Sequence, residues 1–187
     1  MMQKQNLYFI AILPPKAEGE KIILIQKELS ERYDTRAALK VEPHITLKAP
    51  FLFPAVEHTV VTDWFKQMKL AVSTFELELR DFGAFPNPNK PVIYIKPQAN
   101  PNLMDLQKQI IQDFRDTFPT TPLMSLELNY KAHITIAFRD LKPAIFKEAW
   151  EEFRNRKYGT SFTVSEIWLM QHNGVKWNGI DSHTLQN

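Results

Sequence analysis

The sequence predicts a mixed chain of strands and helices folded as two similar lobes. Three observations carry that reading. The order of elements in the first half recurs in the second, and both halves place the pattern His-apolar-Thr-apolar on the same element. Between them lies FGAFPNPNKP (Phe82 to Pro91), with one glycine, two asparagines and three prolines, a composition that cannot continue a sheet interior and reads as the lobe connection. Residues 1–187 are therefore expected to form one two-lobed domain, with approximate repeats at 7–82 and 92–171.

The elements follow in order. LYFIAIL (Leu7 to Leu13) is rich in aromatic and branched residues and stops at Pro14-Pro15, so it reads as a buried strand. Ile22, Ile25, Leu29 and Tyr33 recur at helical spacing and predict a helix from about Ala17. HITLK (His44 to Lys48), between Pro43 and Pro50, reads as a strand. Val56, Val60, Trp64 and Met68 mark a second amphipathic helix, and Phe75, Leu77 and Leu79 alternate with charged residues as a half-exposed strand does. After the connection, VIYIK (Val92 to Lys96) is a strand. Asn100-Pro101 supplies a cap and a first residue for a helix with Leu103, Leu106, Ile110 and Phe114 on one face. HITIAF is the next strand, Pro143 to Phe153 the next helix, and FTVSEIWLM (Phe162 to Met170) the next strand; the tail is polar apart from a short strand at VKW.

Composition narrows the function. An apolar content of 44% with 12% aromatics fills a sizeable core. The 23 basic and 21 acidic residues are mixed, without a basic block of the kind that grips long duplexes, so any nucleic-acid contact is local. The absence of cysteine removes disulfides, thiolate zinc sites, iron–sulfur clusters and cysteine nucleophiles. Leu7 to Leu13 is too short for a signal-peptide core and no later run spans a bilayer; a cytoplasmic protein with no membrane association is expected.

The chain has five histidines, and two of them open the same pattern, in EPHITLKAPF (Glu42 to Phe51) and in KAHITIAFR (Lys131 to Arg139). Successive side chains of a strand point to opposite faces, so His44 and Thr46 share one face while Ile45 and Leu47 share the other. The same holds for His133 and Thr135 against Ile134 and Ile136. A single such strand is most simply a strand with a polar side. Two at equivalent places suggest a displacement at phosphorus, which needs a base for the attacking oxygen and an acid for the leaving one. Histidine serves both tasks near neutral pH, and each threonine hydroxyl donates to a phosphate oxygen.

HITL and HITI resemble the paired motifs of the two-histidine (2H) phosphoesterase superfamily, which includes the RNA 2'-5' ligase-like proteins and the 2',3'-cyclic nucleotide phosphodiesterases. FGAFPNPNKPVIYIK resembles that family's linker and the opening strand of its second lobe. The resemblance implies a bilobal α+β fold with pseudo-twofold symmetry, mostly antiparallel sheets lining a central cleft, and helices outside. It implies His44 and His133 as the catalytic pair, Thr46 and Thr135 as phosphate binders, and metal-independent chemistry on 2' phosphoesters with no cofactor. His44 is taken as the acid and His133 as the base for hydrolysis.

Four neighbours are candidates for substrate binding. Lys48 keeps the parity of His44 and Thr46, and Arg139 keeps that of His133 if the strand runs undistorted; the family often has a basic residue after its second motif. Phe51 and Tyr130, with Phe53, Phe85 and Trp177, are aromatics outside helical stripes that could stack on a base. Glu42 shares parity with His44 and could orient its ring. His58, His172 and His183 are expected to be solvated. The leading expectation is opening of a 2',3'-cyclic phosphate, on an RNA end or a small nucleotide, by a monomer. The alternatives are RNA 2'-5' ligation, cleavage of 2'-5' oligonucleotides, and a non-catalytic module that binds an RNA end or a nucleotide. A metal hydrolase is disfavoured, because neither motif has the His/carboxylate spacing of such sites.

Overall fold

The computed structural model describes residues 4–186. Its strands are β1 (Gln5–Ile12), β2 (Ile45–Pro54), β3 (Phe75–Phe85), β4 (Val92–Pro97), β5 (Ile134–Ala137), β6 (Gly159–Val164), β7 (Glu166–His172) and β8 (Trp177–Thr184). Its helices are α1 (Lys16–Tyr33), α2 (His58–Gln67), α3 (Pro101–Thr117), α4 (Ser125–Leu128) and α5 (Pro143–Phe153). No helix among the described residues is long and apolar enough to cross a membrane.

The eight strands form one antiparallel sheet in the order β6-β3-β4-β5-β2-β1-β7-β8. The order is a palindrome about the β5/β2 junction if β2 matches β5, β1 matches β4, β7 matches β3 and β8 matches β6. Strands are exchanged between halves of the chain: β3 pairs with β4 and β6, and β7 pairs with β1. The helices cross over as well, because α1 packs on β5 and α3 on β2. Only Ile45 and Ile134 pair across the junction, so the two expected sheets meet in a single residue pair.

The core lies between the sheet and the helices. Ile22, Ile25 and Leu29 of α1 and Leu103, Leu106, Ile110 and Phe114 of α3 are buried there as the spacing predicts, each such side chain contributing about 1.5–3 kcal/mol when fully withdrawn from water. The Asn100 side chain accepts from the Leu103 N–H at 3.1 Å with Pro101 in the first turn, a cap that contributes about 1 kcal/mol.

Several elements differ from the sequence expectation, among them β2, which runs on past Pro50 to Pro54. The second helix begins only at His58, after a 3₁₀ turn at Ala55–Glu57, which rotates its apolar stripe to Val61, Trp64 and Phe65 and leaves Val56 and Val60 exposed. β3 runs on through Gly83 to Phe85, paired with β4, so the proline-rich connection shortens to residues 86–91. FTVSEIWLM is two strands, because β6 pairs with β3 and β7 with β1, at opposite ends of the sheet. One residue, Ser165, links them, so the sheet curls until its ends approach. The tail forms a full edge strand, β8, rather than a short one at VKW.

Candidate active site

The site is set by the junction of β2 and β5. With Ile45 opposite Ile134, one step along the antiparallel register brings Thr46 toward His133 and His44 toward Thr135. Ile45 and Ile134 are fully buried, and side chains alternate, so the two histidines and two threonines project from the other face. In this register the histidines are diagonal neighbours, a relation that sets them about 7–8 Å apart, somewhat less between Cβ atoms. The motifs therefore lie side by side on the cleft floor rather than facing each other across it.

A bulge follows each threonine. Ala11 pairs with Thr46 but Ile10 with Lys48, and Tyr94 pairs with Thr135 but Ile93 with Ala137, so Leu47 and Ile136 are the extra residues. Cross-strand partners share a face. Thr46 thus stands with Ala11 on the cleft side, while Lys48 turns with Ile10 into the core. This corrects the expectation for Lys48. Its ammonium is fully buried, 2.8 Å from Glu127 and 4.3 Å from the centre of the Phe114 ring. Phe51 is corrected as well, being core packed between Tyr8 and Phe114.

Both imidazoles are held alike. Nδ1 of His44 lies 2.7 Å from the carbonyl oxygen of Glu42, and Nδ1 of His133 lies 2.7 Å from that of Lys131. A carbonyl only accepts, so each Nδ1 carries the proton and each Nε2 is the free atom. The backbone of Glu42, not its exposed carboxylate, orients His44. Burial pushes both rings below the ordinary histidine pKa against the opposing effect of these bonds, and for His44 the neighbouring His133 adds to the push.

Aromatic rings brace the pair. Phe9 lies 4.9 Å from His44 and meets Trp177 edge-on at 4.5 Å. Phe85 meets His133 edge-on at 5.1 Å, and Tyr94 lies 5.5 Å from it. Tyr94 lies over Gly83, where a Cβ would come within 2.5 Å of the ring. A cavity of about 490 Å³ opens beside this face, lined by Thr46, Phe85, Tyr130, Lys131 and His133 among others. The Tyr130 ring lines it, while its hydroxyl is buried without a hydrogen-bond partner among the described residues. Phe9 and Tyr94 escaped the sequence reading, although the Tyr94 alternation in VIYIK places it on the cleft face.

The remaining candidates lie elsewhere. Arg139 follows the end of β5 with φ of 56°, so strand parity does not extend to it, and its guanidinium rests over Phe138 at 4.9 Å. Phe53 packs edge-on against Phe118. The three other histidines are half-buried with partners instead of solvated. His58 bonds to the Tyr8 hydroxyl at 2.8 Å, His172 accepts from the Gly174 N–H at 3.1 Å, and His183 lies 3.2 Å from the Phe65 carbonyl oxygen.

Comparison with known proteins identifies the family and the fold. The family model for the 2'-5' RNA ligase superfamily matches residues 14–176. A candidate phosphoesterase of Bacillus cytotoxicus is 28% identical over 170 residues, covering 90% of this chain and 91% of that protein. One of Bacillus pumilus is 28% identical over 130 residues, covering 70% and 68%. Among solved structures, Escherichia coli LigT in complex with 3'-AMP superposes with a TM-score of 0.67 at 18% identity, covering 97% of this chain and 99% of LigT. A Thermus thermophilus protein superposes with a TM-score of 0.68 at 17% identity, covering 97% and 98%.

Proposed function

The chain belongs to the 2'-5' RNA ligase superfamily, and from that premise we propose that it hydrolyses 2',3'-cyclic phosphates, on an RNA end or a small nucleotide, to 2'-phosphates without a metal. The observation that carries this reading is the register that gathers His44, Thr46, His133 and Thr135 on one face. LigT has been crystallised with 3'-AMP and with phosphate, which supports a nucleotide-sized phosphoester as ligand here.

In this mechanism the threonine hydroxyls donate to the non-bridging oxygens and gain strength as charge builds on them. One neutral imidazole takes a proton from the attacking water through Nε2. The other, protonated, gives a proton to O3' as the P–O3' bond breaks, leaving a 2'-phosphate and a free 3'-hydroxyl. Burial lowers both rings and the repulsion between them is mutual, so the pair serves with either ring as the acid, and the bound substrate decides the order.

The test is a panel of 2',3'-cyclic mononucleotides, cyclic-ended RNA and 2'-5' linked dinucleotides, incubated in chelator with wild type, His44→Ala and His133→Ala. Cyclic substrates should turn over in chelator, and each alanine variant should lose about two to four orders of magnitude in rate. Near-normal turnover by both variants, or loss of wild-type activity in chelator, excludes the mechanism. Preferential cleavage of the dinucleotides would replace the cyclic substrate with a 2'-5' linkage on the same four residues.

A further inference from the structure

Each motif strand, on leaving the site, fastens the segment that leads into the other motif. Behind Thr46, the Lys48 ammonium and the Ala49 N–H both reach Oε1 of Glu127, at 2.8 and 2.9 Å. Glu127 belongs to α4, directly ahead of His133, and its second oxygen accepts the Met124 N–H at 2.6 Å. Behind Thr135, the chain turns at Arg139 with its positive φ and presents the Asp140 carboxylate. That carboxylate accepts the Thr35 hydroxyl at 2.7 Å and the N–H groups of Arg36 and Ala37 at 2.8 and 2.9 Å. The segment so held runs through the 3₁₀ turn Ala37–Lys40 to Glu42, whose carbonyl holds His44.

We propose that Asp140 and Glu127 are positioning residues that lock the two imidazoles into register by tying each motif to the other's lead-in segment. The inference rests on the two-histidine reading of the site. Its physical ground is the weakness of the junction, where a single residue pair leaves the angle between β2 and β5 poorly fixed by the sheet alone. Acid–base transfer to one phosphorus atom is sensitive to displacements of an ångström, which can cost about a hundredfold in rate. The crossed ties close the junction on both sides. One is buried and one exposed, and the acid comes from the lead-in segment in the first and from the strand exit in the second.

The exposed tie gives the cleaner experiment, because Asp140 is at the surface and its loss removes no apolar packing, only the acceptor of the buried Thr35 hydroxyl and of two N–H groups. Asp140→Ala should lower kcat on the cyclic substrate about tenfold or more with KM changed less than about twofold. Asp140→Asn, which keeps an acceptor oxygen, should recover part of the loss. NMR titration of the two rings gives a readout that needs no turnover: in Asp140→Ala the His44 pKa should move up toward its ordinary value as the ring leaves its buried seat. Wild-type kcat in Asp140→Ala, or His44 and His133 titrations identical to wild type, overturns the proposal. A wild-type protein that turns over none of the substrates removes the functional reading alone, since the ring titrations still decide the positioning claim.

Discussion

The two His-Ile-Thr strands are alike where they face the cleft and different where they leave it. His44 and His133 make the same 2.7 Å bond to a carbonyl two places upstream, and the same bulge follows Thr46 and Thr135. Beyond the bulge one strand carries Lys48 and the other Ala137, both turned into the core. On the proposed reading, a phosphate in the cleft would touch the parts that match and not the parts that differ. Chemistry constrains one face of each strand, while each lobe fills its interior in its own way.

The sharpest way to break this comparison is at the buried ion pair, which has no counterpart behind Thr135. Withdrawing two charges from water is costly, and here the Ala49 and Met124 N–H groups on the carboxylate and the Phe114 ring beneath the ammonium offset that cost. Glu127→Gln leaves the Lys48 charge without its partner and should destabilise the fold by about 3–5 kcal/mol in urea unfolding, the usual cost of halving a buried pair. Loss below about 1 kcal/mol would mean that Lys48 is neutral in the core, in the direction that burial already pushes it.

A smaller effect is expected where glycine admits an aromatic ring. A Cβ at Gly83 would meet the Tyr94 ring at 2.5 Å, and one at Gly179 would meet the Trp168 ring at 2.9 Å. Tyr94 touches His133, whereas Trp168 has no such contact with His44 among the described residues. Both Gly→Ala changes should cost about 1–3 kcal/mol of stability by overpacking. Only Gly83→Ala should also lower turnover, by about tenfold, because it displaces a ring that braces a histidine. Equal losses of turnover would show that both lobes brace their histidines through such rings.

These particulars show what the sequence could and could not disclose. The cleft face was legible because a period of two fixes which side chains share it, and His44, Thr46, His133 and Thr135 lie where that period puts them. Lys48 was misplaced by one bulged residue, since nothing in LKA marks Leu47 as the position that breaks parity. The division of FTVSEIWLM, in contrast, is written in the sequence. Phe162 and Val164 are buried in one phase and Ile167 and Leu169 in the other, so the slip at Ser165 marks a change of partner strand. The crossed ties were illegible because they join segments about a hundred residues apart, such as Thr35 and Asp140, through backbone N–H groups that carry no residue signature.

The smallest expected effect lies in the protons of the two rings, where the lobes match. Both imidazoles are held below the ordinary value of 6.5 by burial, so the folded protein binds protons there less readily than the unfolded chain does. Stability from these rings is therefore full above pH 6.5 and declines as the pH falls through that value toward the folded pKa values. Carboxylates add their own acid destabilisation at lower pH, so the contribution of each ring has to be read as a difference between variants. Urea midpoints between about pH 7.5 and 5.5 should fall less in His44→Asn and in His133→Asn than in wild type, because each change removes one depressed ring together with the mutual repulsion of the pair. The repulsion is reciprocal, so the bound substrate decides which ring acts as acid. A fall as steep as that of wild type in either variant would mean that the replaced ring titrates at its ordinary value.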